Sequence, residues 1–294
     1  LKLAAIDIGS NAARLLISEV VESNNEKPVF LKLNLIRVPL RLGFDVFETG
    51  SISKEKELML LQTIKAYKHL LNAYNVKQVI ACATSAMRDA RNAKEIILQV
   101  KMETQLDIDV ISGDFEATLI YENHIVEKLN KDHSYLYVDV GGGSTELTYF
   151  SDGKIAFKKS FNIGTIRILK DMVSEQTWDD MRNFIKANIK EGKTNTAIGS
   201  GGNINKIFSL SKRKDGKPLS IEMLKDYHKE LSNVSVYDRI MLYNLREDRA
   251  DVIVPALLIY LNVMKWANCT EIYVPKIGLA DGLVQHLYKK IKNY

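Results

Sequence analysis

Two stretches 132 residues apart are written to one pattern. Ala5-Ile6-Asp7-Ile8-Gly9-Ser10 is an apolar run that closes on an acid and a glycine turn, and Tyr137-Val138-Asp139-Val140-Gly141-Gly142 repeats it. After each copy comes a second strand-like run, Leu15–Val21 in the first and Glu146–Phe150 in the second. A third follows, Val29–Val38 and Lys154–Phe161. Each half therefore opens as a three-strand meander with an Asp at the end of its first strand. At about 100–200 residues per domain, a chain of 294 residues holds two such halves.

Between the copies the pattern turns helical. Leu60, Ile64, Tyr67, Leu71 and Tyr74 recur at three- and four-residue steps behind a Ser53 cap, which predicts a helix from Ser53 to Tyr74. A strand at Gln78–Ala83, a helix at Ala93–Gln105, a short strand at Ile108–Ile111 and a helix from about Asp114 to Leu129 follow, the alternation of an α/β sheet. In the second half a third glycine turn, Gly199-Ser200-Gly201-Gly202-Asn203, leads into a helix from about Ile204. Helical runs at Ile221–Leu231, Val236–Leu245, Val252–Ala267 and Leu279–Lys292 complete the chain.

Composition excludes several classes. With 46% hydrophobic and 26% charged residues, 16 Gly and 5 Pro, the chain is neither disordered nor collagen-like. A net charge of +5 suits an anionic ligand and falls short of a nucleic-acid-coating protein, so no nucleic-acid partner is expected. Cys82 and Cys269 have no Cys or His neighbour at metal-ligand spacing and make no disulfide scaffold, which favours a reducing, cytoplasmic setting. The first residues read as a strand rather than an export signal. The longest apolar stretch, 252–267, contains Pro255, Asn262 and Lys265 and is shorter than the roughly 20 residues of a membrane span, so no membrane partner is expected.

The chemistry lies in the turns. Consecutive backbone N–H groups at Gly9, Ser10 and Asn11, and at Gly141, Gly142, Gly143 and Ser144, can cradle phosphate oxygens, because glycine lets an anion approach the backbone. The third turn, Gly199, Ser200, Gly201 and Gly202, belongs to the same type. Asp7 and Asp139 at the strand ends, expected to face each other across an interdomain cleft, would attract a divalent cation. Arg14 follows the first turn, and Arg88 lies where Ala83-Thr84-Ser85-Ala86-Met87-Arg88-Asp89-Ala90-Arg91-Asn92 ends a strand and enters a helix; both suit phosphate. Glu116 stands in the first turn of the helix after a strand. There it is either a dipole-favoured acid or a general base, and Glu146 is the other candidate base or metal-side carboxylate.

Together, the Asp7 turn with Arg14, the Ala83–Asn92 segment, Ser112-Gly113-x-x-Glu116-Ala117, Asp139-Val140-Gly141-Gly142-Gly143-Ser144-Thr145-Glu146 and the Ile198–Asn203 turn resemble one family. It is the Ppx/GppA exopolyphosphatase and guanosine-pentaphosphate phosphatase family, in its short, two-domain form. The resemblance implies an α/β fold of two ribonuclease-H-like domains, that of the actin-like ATPase superfamily of sugar kinases, Hsp70 and actin. It assigns residues 1–128 plus 279–294 to the first domain and 129–278 to the second. It further implies release of terminal phosphate from inorganic polyphosphate with Mg²⁺, with guanosine pentaphosphate as the alternative substrate. On this resemblance Glu116 is the catalytic glutamate, Gly9–Asn11 and Gly141–Ser144 are the phosphate-binding hairpins, and Asp7, Asp139 and Glu146 are the metal-side acids. Arg14 and Arg88 match basic positions near the phosphates. The sequence departs from the family at Ala12, at Asn203 and before Asp281. A phosphotransferase and a non-enzymatic nucleotide sensor are the rival readings, and a homodimer is left open.

Overall fold

The computed structural model describes residues 1–23, 26–121, 133–152, 154–189 and 195–292. It divides into two compact units, Leu1–Ser112 with Leu279–Tyr294, and Gly113–Gly278. In chain order the first unit contains β1 (Lys2–Ile8), β2 (Ala13–Ser23), β3 (Glu26–Val38), α1 (Leu42–Thr49), α2 (Lys54–Ala73), β4 (Gln78–Ala83), α3 (Ser85–Asp89), α4 (Ala93–Thr104) and β5 (Asp109–Val110). Its sheet runs β3-β2-β1-β4-β5, antiparallel through the meander and parallel from β1 to β5. β1 is an apolar run buried from Leu3 onward, as a central strand covered on both faces must be.

The second unit contains α5 (Gly113–Tyr121), β6 (Ser134–Val140), β7 (Thr145–Ser151), β8 (Lys154–Phe161), α6 (Thr165–Leu169), α7 (Glu175–Asn188), β9 (Asn195–Ser200), α8 (Gly202–Leu210) and β10 (Leu219–Ser220). It continues with α9 (Ile221–Ser232), α10 (Val236–Tyr243), α11 (Glu247–Ala250), α12 (Ile253–Trp266) and β11 (Cys269–Tyr273). Its sheet runs β10-β11-β9-β6-β7-β8. Read from β8, the order and strand directions repeat those of the first sheet, with β10 added antiparallel at the far edge. The core between this sheet and its helices holds Leu136, Val138, Leu147, Ile204, Ile207, Leu257 and Val263. The last helix, α13 (Leu279–Lys292), packs against β1, β2 and β4 in the first unit. Among the described residues no helix is long and apolar enough to cross a membrane.

The division falls between Ser112 and Gly113 rather than near residue 128, because α5 packs on β7 and β8. Glu116 is thereby a residue of the second unit, where the sequence had suggested the first. Of the helix expected from 114 to 129, the part beyond Tyr121 lies outside the described residues.

Two short helices that the sequence does not announce are decisive for the glycine turns. In the first unit the chain entering α1 donates from Arg41 N to Asn11 O at 2.9 Å and from Gly43 N to Ser10 O at 2.8 Å. In the second, α6 donates from Thr165 N to Gly141 O at 3.0 Å and from Ile166 N to Gly142 O at 2.8 Å. Each turn has carbonyls tied to a helix start, so the amide groups it does not use internally are the face it can offer an anion. The fit at α6 depends on Gly164, where a Cβ would stand 2.4 Å from Gly142 O and 2.5 Å from Gly143 C. Backbone on both sides cannot yield as a side chain can. Gly164→Ala should therefore cost about 1–3 kcal/mol of stability, measurable by urea denaturation; an unchanged midpoint would show that the turn is not braced by α6.

Candidate active site

The repeated Asp occupies the same register in both sheets, and its neighbours along the row differ. In the first unit Asp7 pairs across the ladder with Arg14 and, on its other side, with Cys82; Arg14 in turn pairs with Arg37. In the second unit Asp139 pairs with Glu146 and with Ser200, and Glu146 pairs with Ser160. Residues directly opposite on neighbouring strands share a face of the sheet, so each row is a line of touching side chains. The first joins an acid to basic residues, and the second sets two acids side by side.

A third acid joins the second row. Glu116 on α5, Asp139 on β6 and Glu146 on β7 each place a carboxylate oxygen within 4.8 Å of the others. Glu116 is 7% exposed, Glu146 3%, and Asp139 is half-buried. Hydrogen bonds orient two of them: Ser200 Oγ donates to Asp139 Oδ1 at 2.8 Å, and Ser160 Oγ to Glu146 Oε1 at 2.9 Å. Ser200 is itself held, because the Tyr260 hydroxyl on α12 donates to its carbonyl oxygen. Burial, reinforced by the charge of Asp139, keeps the Tyr260 phenol well above its ordinary pKa, so it remains a donor.

The turn Gly141–Ser144 adjoins this cluster through Asp139 and Glu146. Its Gly141 N donates to Ser144 O at 2.9 Å, and Arg167 Nε on α6 takes Gly143 O at 2.7 Å. Thr145 Oγ1 donates to Ile163 O at 2.6 Å, fixing the strand that leaves the turn. The third turn is filled from within. A Cβ at Gly201, whose φ is +108°, would lie 3.2 Å from Asp139 Oδ1, and one at Gly202 would lie 2.8 Å from Arg249 Nη2. The glycines at 201 and 202 are accounted for by packing around Asp139 and Arg249, and the one at 199 by Ile272 and Ile204; with Ser200 the turn supports the acid cluster.

In the first unit Arg14 Nη1 donates to Asp7 Oδ2 at 2.7 Å, so that acid already has its counter-charge. Ser10 Oγ and Ser85 Oγ are 2.7 Å apart, joining the first turn to α3, and Gly9 N donates to Ala12 O at 3.0 Å. Arg88 Nη1 donates to Ile111 O at 2.7 Å and thereby steadies the chain just before Ser112 and Gly113. The structure brings together three of the acids the sequence singles out, Glu116, Asp139 and Glu146, and adds Ser160, Tyr260, Arg167 and Arg249, which the sequence reading did not name. Only Ser160 carried a readable signal, since the meander places it opposite Glu146.

Three carboxylates converging on one point are the donor set of a hard divalent cation, which binds through oxygen. Glu116, Asp139 and Glu146 fit such an ion, and Asp7, balanced by Arg14, does not require one.

Comparison with known proteins adds an independent finding. The model of the Ppx/GppA phosphatase family matches residues 20–291. A bifunctional 3-dehydroquinate synthase/phosphatase of Fusobacterium nucleatum is 33% identical over 204 residues, 64% of this chain. The chain spans 30% of the length of that relative. Exopolyphosphatase 1 of Mycobacterium tuberculosis is 21% identical over 97% of this chain and 87% of its own. Among solved structures, an exopolyphosphatase from Cytophaga hutchinsonii is similar with a TM-score of 0.82 and 26% identity, covering 100% of this chain and 98% of that one. The fold is thus the duplicated α/β fold of such proteins.

The Ser200 contact makes a separate prediction. Ser200→Ala removes one donor from Asp139 and should weaken divalent-cation binding about tenfold, the usual effect of losing an orienting partner. Titration with Mn²⁺ followed by electron paramagnetic resonance measures it, and wild-type affinity would show that Asp139 takes no part in holding the ion.

Proposed function

The chain belongs to the Ppx/GppA phosphatase family, and on that footing we propose that it is a hydrolase releasing terminal orthophosphate from inorganic polyphosphate with Mg²⁺. The observation that carries the reading is the convergence of Glu116, Asp139 and Glu146 within 4.8 Å beside a glycine turn. Proteins described as exopolyphosphatases also align along nearly the whole chain.

In this reading the amides of Gly142, Gly143 and Ser144 receive oxygens of the terminal phosphoryl group. Ser10 and Asn11, with Arg14 and Arg88, supply further donors for phosphate. Glu116 orients a water molecule and takes its proton as the oxygen attacks phosphorus. The anhydride P–O bond breaks, and orthophosphate and a chain shorter by one phosphate leave. Glu146, which accepts a hydrogen bond from Ser160, serves with Asp139 as a cation ligand. Asp139 and Glu146 would hold a magnesium ion whose charge would neutralise the phosphoryl oxygens. Asp7 keeps Arg14 in place beside the first turn.

Glu116→Gln preserves size and hydrogen bonding and removes the base. It should fold, melt near the wild-type temperature, bind polyphosphate and release phosphate about 10²–10⁴-fold more slowly. The assay compares long-chain polyphosphate, guanosine pentaphosphate and ATP. Preference for guanosine pentaphosphate would transfer the same machinery to the other substrate of the family. Near-wild-type turnover by the variant would remove Glu116 from the mechanism.

A further inference from the structure

We propose that Ser160 is a positioning residue that sets both the orientation of Glu146 and the distance at which Glu116 stands from it. The roles of the two acids rest on the function proposed above, whereas the contact stands on geometry. Ser160 lies on β8 directly across from Glu146, and its Oγ donates to Glu146 Oε1 at 2.9 Å. Its other side abuts the first residue of α5. A Cβ at Gly113 would lie 2.3 Å from Ser160 Oγ, 2.4 Å from Ser160 Cβ and 3.6 Å from Glu146 Oε1.

Backbone of α5 therefore touches the serine with no room for a side chain between them. A second tie follows along the same strand, where Lys158 Nζ donates to Thr118 Oγ1 at 2.9 Å. The two contacts bracket Glu116, holding the segment that bears it onto β8 from position 113 and from position 118. Serine suits position 160 because it is small enough to lie under Gly113 and still donates to a carboxylate. Any side chain at 113 would lift the first turn of α5 off the strand, and a displacement of about 1 Å in a reacting group lowers a rate about a hundredfold.

A double-substitution cycle of Gly113→Ala, Ser160→Gly and the two combined tests the contact. It is read by kcat for phosphate release from polyphosphate and by Mn²⁺ binding in the absence of turnover. Gly113→Ala should lower kcat about a hundredfold beside Ser160. In the Ser160→Gly background, where the clash is gone, it should cost no more than about twofold. Should Gly113→Ala alone be insoluble, the double variant must recover soluble protein as active as Ser160→Gly. Ser160→Ala keeps the packing and loses only the donor. It should lower kcat or Mn²⁺ affinity about tenfold with KM and Tm unchanged. Equal cost of Gly113→Ala in both backgrounds, or wild-type kcat and Mn²⁺ affinity in Ser160→Ala, overturns the proposal. A wild-type protein that releases no phosphate from polyphosphate overturns the functional reading instead, and the Mn²⁺ cycle still decides the role of Ser160.

Discussion

Carboxylates packed together repel, and the second sheet holds Asp139 directly across from Glu146 with Glu116 brought against both. At about 4–5 Å in a protein environment, each pair of unit charges costs about 3–4 kcal/mol. Three such pairs approach the whole stability of a typical domain, about 5–15 kcal/mol. A cation among the acids would offset this repulsion. Because a cation is what phosphate chemistry also requires, the electrostatic demand of the row and the demand of the reaction have the same solution.

The repeated frame makes this legible as a contrast. Asp7 and Asp139 occupy matching positions at the ends of matching strands, and so do Arg14 and Glu146, each seven residues further on. Where the first unit answers its Asp with a guanidinium at 2.7 Å, the second answers with another carboxylate. One duplicated scaffold thus carries an ion pair at this place in one copy and three converging carboxylates in the other. What supports the cluster is stiff: Tyr260 holds Ser200, Ser200 holds Asp139, Ser160 holds Glu146, and helix α6 braces the glycine turn.

Much of this was readable in the sequence, because the decisive signals are local. Two Asp residues closing apolar runs, the strands that follow them and the acid in the first turn of α5 are all visible over a few residues at a time. The short helices were not, since α1 and α6 span too few residues for apolar periodicity to declare itself. Nor could the chain separate three glycine turns of similar composition. Gly202 is required by Arg249, 47 positions away, whereas the glycines at 141–143 form the turn between Asp139 and Glu146. The assignment of Glu116 to a unit failed for the same reason: its helix follows the first sheet in sequence but packs on β7 and β8. Tertiary contact, with no local pattern to report it, accounts for each of these gaps.

The central claim is the proposal that Glu116, Asp139 and Glu146, converging in the second unit, form a divalent-cation site. Anomalous scattering from a crystal of the protein soaked in Mn²⁺ tests it most directly. The account predicts a strong peak within about 2.0–2.3 Å of carboxylate oxygens from Asp139 and Glu146. Manganese bound elsewhere, with the two carboxylates still side by side and no ion between them, would contradict it.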